Sequence, residues 1–137
     1  MIDNSSSMGV FIHHIYEYKK GLRSLVLHTT SSLHREFIEA KLSSKGISHI
    51  IVPVTRAKIN VFFGDPDCIG VLKSFDTLDL SSLTDEQDFI LGTLLGYNLG
   101  QQCQRFLKRK SERMEEPLNW PKLQKTGFQL VRGELGL

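Results

Sequence analysis

Ile47-Ser-His-Ile-Ile-Val-Pro-Val54 and Ile59-Asn-Val-Phe-Phe63 decide the fold. Both stretches are β-branched and aromatic, and the short polar turn Thr55-Arg-Ala-Lys58 between them predicts a β-hairpin. Pro53 has no N–H to give to a ladder, so the first of these strands belongs at a sheet edge. Apolar residues fill nearly every position of both strands without polar-out alternation. Both faces of the sheet therefore need cover.

Upstream, Ser24–Thr29 (Ser-Leu-Val-Leu-His-Thr) predicts another strand. A helix fills the interval, capped by Ser31 or Ser32, striped by Leu33, Phe37, Ala40 and Leu42, and ended by Gly46 in a left-handed conformation. Strand–helix–strand followed by a hairpin gives a three-stranded sheet in the order second, third, first, with helices on one face. That is a ferredoxin-like arrangement lacking its fourth strand, and the fold class is α+β. Phe11, Ile15, Tyr18 and Leu22 recur at helical spacing ahead of the first strand, with Gly21 as the stop. After the hairpin, Gly64-Asp65-Pro66 stops the strand and opens a short helix carrying Cys68, Ile69, Val71 and Leu72. Thr84-Asp-Glu-Gln87 reads as a capping box, and the helix behind it is expected to run to about Arg113.

The 137 residues suit one domain, expected over residues 9–113. Residues 1–8 are serine-rich and aperiodic and read as a disordered leader. Prolines at 117 and 121 break the periodicity of a tail, 114–137, expected to be loosely attached. A composition of 40% hydrophobic and 23% charged residues is globular. The formal charge of +2 gives no dominant basic character, which argues against nucleic acid, and the longest apolar stretch, Phe89–Leu99, is too short to span a bilayer. Cys68 and Cys103 form no CxxC or zinc spacing, so free thiols in a reducing cytoplasm are expected.

Three groups of residues invite a functional reading. His13, His14, Tyr16, Lys19, Arg23 and His28 form a candidate ligand-binding set, rich in imidazoles and anion-binding groups. Neighbours on a helix point about 100° apart, so His13 and His14 do not share one face and no chelating spacing arises. A metal site is not expected, nor is a cofactor. Arg105, Lys108, Arg109, Lys110 and Arg113 form a basic run that suits either the helix dipole or an acidic partner. Gly92, Gly96 and Gly100 lie four residues apart and predict a glycine stripe for close helix packing or a two-fold dimer contact. Cys68, near a helix N-terminus, is a candidate for a lowered pKa, and Cys103 reads as inert packing. No phosphate loop, nucleotide fingerprint or nucleophile elbow is present, so no catalytic residue is assigned and an enzyme is disfavoured.

Val10-Phe-Ile-His-His-Ile-Tyr-Glu-Tyr-Lys-Lys-Gly-Leu-Arg23, Ile59-Asn-Val-Phe-Phe-Gly64 and Asp88-Phe-Ile-Leu-Gly-Thr-Leu-Leu-Gly-Tyr97 resemble a family of small bacterial proteins, domain of unknown function number two thousand and twenty-three. The resemblance covers about Gly9 to Lys110. It implies three strands with about five helices, a homodimer and genes lying beside flavodoxin genes. It assigns no catalytic or binding residue. Flavodoxins are typically acidic, so either basic group, Lys108 to Arg113 or Lys19, Lys20 and Arg23, is suited to face one. The leading expectation is a non-catalytic homodimeric accessory protein that binds a partner protein through a basic surface. The alternative is a small-molecule- or metal-binding protein, or a weak enzyme, with a histidine-rich pocket.

Overall fold

The computed structural model describes residues 2–114, with side chains from Ser7 onward. The chain runs α1 (Ile2–Lys19), β1 (Leu25–Ser31), α2 (Arg35–Ser44), β2 (Ser48–Pro53), β3 (Lys58–Gly64), α3 (Pro66–Lys73), α4 (Asp85–Leu94) and α5 (Leu99–Arg113). The fold is α+β: among the described residues, five helices accompany a three-stranded antiparallel sheet of order β1-β3-β2. The hairpin is in place, with Pro53 opposite Ile59 and the Val54 N–H donating to the Lys58 carbonyl at 2.9 Å. Pro53 lies on edge strand β2, as its missing N–H requires.

Six of the seven residues of β3, Ile59–Gly64, are buried, and the strand's alternating side chains feed two cores. On one face Ile59, Val61 and Phe63 join Val26 of β1, Phe11 and Ile15 of α1, and Ile38 and Leu42 of α2. On the other, Phe62 joins Leu25 of β1, Ile69 and Leu72 of α3, and Leu91 of α4. Helices thus cover both faces rather than the single face expected from the crossover. The lack of polar alternation in the strands is the physical reason, since a half-solvated sheet would leave Phe62 or Phe63 in water.

Backbone polarity follows the register. Asp65 N–H donates to the Ser24 carbonyl at 2.8 Å and Ser32 N–H to the Ala57 carbonyl at 2.9 Å, so the even-numbered residues of β1 bond to β3. The N–H and C=O groups of Leu25, Leu27, Thr29 and Ser31 point to the opposite, open edge. No hydrogen bond reaches them among the described residues.

Four expectations are revised. The segment behind the Thr84–Gln87 capping box is two helices, because Gly96 adopts φ +82° and closes α4. Gly96 N–H donates to the Thr93 carbonyl at 3.0 Å and Tyr97 N–H to the Gly92 carbonyl at 3.1 Å. Asn98 then caps α5, its side chain accepting from Gln101 N–H at 2.9 Å. Second, α1 begins at Ile2, so backbone expected as a disordered leader is helical, and its Ser7 hydroxyl meets that of Thr30 at 2.6 Å. Third, α2 buries Ile38 and Leu42, while Leu33 and Phe37 of the expected stripe stay exposed. Leu33 falls in a 3-10 turn at Ser32–His34, which rotates the register of the helix that follows. Fourth, Cys103 is exposed on α5, away from any core. Apart from Met114, the tail 114–137 lies outside the described residues. Among the described residues no helix is long and apolar enough to cross a membrane.

Candidate functional site

The candidate histidine group divides into an inner and an outer set. On the inner side of α1, His14 meets His28 of β1 edge-on, ring centroids 5.6 Å apart, and Phe11 closes over His28 at 5.5 Å. His28 is only 5% exposed and its Nε2 finds no hydrogen-bond partner among the described residues. Burial, followed by the nearby His14 and His34, lowers its pKa from 6.5 to about 4. On the outer side, His13 stacks with Tyr16 at 6.2 Å and Lys20 Nζ sits 5.5 Å from the Tyr16 ring centroid.

Glu17, which the sequence reading did not single out, joins the two sets. It stands one helical turn beyond both histidines, with Oε1 3.7 Å from His13 Nε2 and 3.3 Å from His14 Nδ1. Arg23 Nη1 lies 3.2 Å from the same His14 Nδ1 and 3.9 Å from Glu17 Oε1. A guanidinium only donates and a carboxylate only accepts, so the proton on His14 Nδ1 chooses between these neighbours. Spacing alone offered the signal for Glu17, because it lies at i+4 from His13 and i+3 from His14. Among the described residues no group of three or more His, Cys, Asp or Glu side chains is arranged to hold a metal ion.

The basic run of α5 folds back on the acidic first turn of α4. Arg105 donates to both carboxylate oxygens of Asp88, at 2.8 and 3.0 Å. Arg109 Nη1 stands 2.8 Å from Asp88 Oδ1, and its Nε 3.1 Å from Asp85 Oδ1. Arg113 Nε donates to Asp85 at 2.8 Å, and Lys110 Nζ pairs with Glu86 at 2.5 Å. Asp85 is buried, and hydrogen bonding from Arg105, with the charges of Arg105 and Arg109, holds Asp88 below the usual carboxylate range. Of the five candidate cations only Lys108 has no carboxylate partner among the described residues.

The ends of α1 and α2 present a different cationic group. Lys19 Nζ donates to the Lys45 carbonyl at 3.5 Å, which draws the two helix C-termini together. Lys20 follows Lys19, and Lys41 lies one turn before Lys45. None of these four lysines pairs with a carboxylate among the described residues.

The glycines do not form one stripe. Gly92 is buried in α4 against Gln102 of α5, Gly96 is the turn between these helices, and Gly100 is exposed in the first turn of α5. Cys68 also departs from expectation, since burial, followed by Asp65 and Asp67, raises its pKa. Burial, joined by the two carboxylates at the same helix start, opposes any pull of the dipole.

A family model described as "Protein of unknown function (DUF2023)" matches residues 9–109. The chain belongs to this DUF2023 family. The match spans β1 to β3, α2 to α4 and most of α1 and α5, so the histidine cluster and the ion pairs of Arg105 and Arg109 lie inside the DUF2023 region, while Lys110 and Arg113 fall just beyond it. No curated protein matches this DUF2023 chain.

Proposed function

We propose that the protein is a non-catalytic, homodimeric accessory protein of the cytoplasm that binds an acidic partner protein through the lysines at the ends of α1 and α2. The observation that carries this reading is the 3.5 Å contact of Lys19 Nζ with the Lys45 carbonyl, which brings those two lysines together; Lys20 and Lys41 adjoin them in sequence, and none of the four has a carboxylate partner among the described residues. Unneutralised charge is what steers a complementary partner into an encounter. The cations of α5 are less suited to that task, because α4 already supplies their counter-ions.

A flavodoxin has the required acidity and is the partner that the family resemblance suggests. The test is a calorimetric titration of the protein with a purified flavodoxin at about 50 mM and about 500 mM salt. Screening across that range shortens the Debye length severalfold, so at least tenfold weaker binding at high salt is expected. Absence of binding at low salt, or salt-independent affinity, would refute the reading. The alternative of a small ligand at the histidines has the convergence of His14, Glu17, Arg23 and His28 in its favour. Against it, Phe11 and His14 already cover the His28 ring.

A further inference from the structure

The two edges of the sheet are treated differently. On β2, Ile47 N–H is spent on the Leu42 carbonyl at 2.9 Å and Pro53 has no N–H, which leaves only His49 and Ile51 to offer outward N–H groups. On β1, the outward groups of Leu25, Leu27, Thr29 and Ser31 are open among the described residues. The strand Leu-Val-Leu-His-Thr-Thr-Ser contains no proline, lysine, arginine or acid, none of the devices that keep an edge from pairing.

The geometry points to β1 as the surface where two copies of this chain join, antiparallel about a two-fold axis at His28, into one continuous six-stranded sheet. This interface rests on the homodimeric reading above and specifies where the contact lies. The register follows from the parity of the open groups. With His28 opposite its own copy, Leu25 faces Ser31 of the other copy and Leu27 faces Thr29. All four outward residues of each chain are then used, giving about eight backbone hydrogen bonds. Shifting the register by one residue sets these groups against inward-bonded ones, and moving the axis to Leu27 or Thr29 keeps the parity but makes only about six of the bonds, so the axis at His28 uses the edge most fully.

Two further features agree with a second copy as the occupant. An uncharged strand meets itself without repulsion, and a two-fold contact requires that self-complementarity. In this register the two His28 residues form a non-hydrogen-bonded pair, with Cα atoms about 4.5 Å apart. Both side chains lie on the face covered by α1, beneath Phe11 and His14. Val10, on the same flank of α1 as Ser7 and His14, is 47% exposed in the single chain and stands ready to extend the contact.

The test combines light scattering with residue-resolved amide exchange by NMR on the full chain. The expected result is a dimer whose Leu25, Leu27, Thr29 and Ser31 amides exchange at least a hundredfold more slowly than exposed backbone. Thr29→Pro removes one outward N–H while sparing the β3 ladder, and should weaken dimerisation at least tenfold. Thr29→Ala keeps that N–H, serves as the control for the lost Thr29–Asn60 hydrogen bond, and should remain dimeric. If Thr29→Pro fails to fold, amide exchange in the unmodified chain still decides. A dimer with fast exchange at these four amides would overturn this interface and leave the homodimer standing. A monomer would overturn both, including one in which residues 115–137 of the same chain shield the edge.

Discussion

Gly64 is the residue at which the backbone permits no side chain. It holds φ +154° where β3 turns toward α3, and a Cβ there would strike the Ser24 carbonyl oxygen and come within 2.9 Å of Leu25 Cα. Both obstacles are main chain of the neighbouring strand and cannot step aside. Gly64→Ala is expected to cost at least about 2 kcal/mol in urea denaturation, with the midpoint lowered and the slope unchanged. His28 makes a second prediction at this scale. Its folded pKa of about 4 lies below the ordinary 6.5, so between those values the unfolded chain binds more protons. Stability from this residue is complete above about pH 6.5 and falls as pH drops toward 4, by roughly 2–3 kcal/mol in all. Denaturation between pH 7 and pH 4.5 checks the slope, and His28→Gln should flatten it.

At the scale of elements, the α4–α5 hairpin is held by charge as much as by apolar contact. Asp85 stands at the N-terminus of α4, where the dipole favours an anion, and it meets the C-terminal half of α5 through Arg109 and Arg113. Asp85→Asn should destabilise the protein by about 2 kcal/mol and free α5 first, because it leaves cations partly desolvated without a counter-charge. A double-mutant cycle with Arg109→Gln would show coupling of at least about 0.5 kcal/mol if the pair acts as described. The hairpin also marks where sequence reading stopped. Periodicity carried the helix through Leu95–Asn98, since apolar spacing is blind to a single left-handed glycine. Gly96 could be read equally as a packing glycine or as a helix stop. The strands, the edge position of Pro53 and the Thr84–Gln87 box were legible because each rests on local chemistry. Glu17 was not, since its role depends on Arg23 returning from beyond the helix end. The pairing of the basic run with Asp85, Glu86 and Asp88 needed the same kind of long-range information, with partners 17 to 28 residues apart.

For the whole molecule, a net charge of +2 says little, and the placement of charge says more. One basic group is folded inward against α4, and the other is left at the ends of α1 and α2. The proposed partner binding depends on that difference. The most direct test compares Lys19→Glu/Lys45→Glu with Lys108→Glu in binding to a purified flavodoxin, with thermal melting as the control for folding. The proposed lysine surface predicts at least tenfold weaker binding for the double variant at an unchanged melting temperature, and little change for Lys108→Glu. Undiminished affinity in the double variant, or a loss confined to Lys108→Glu, would contradict it.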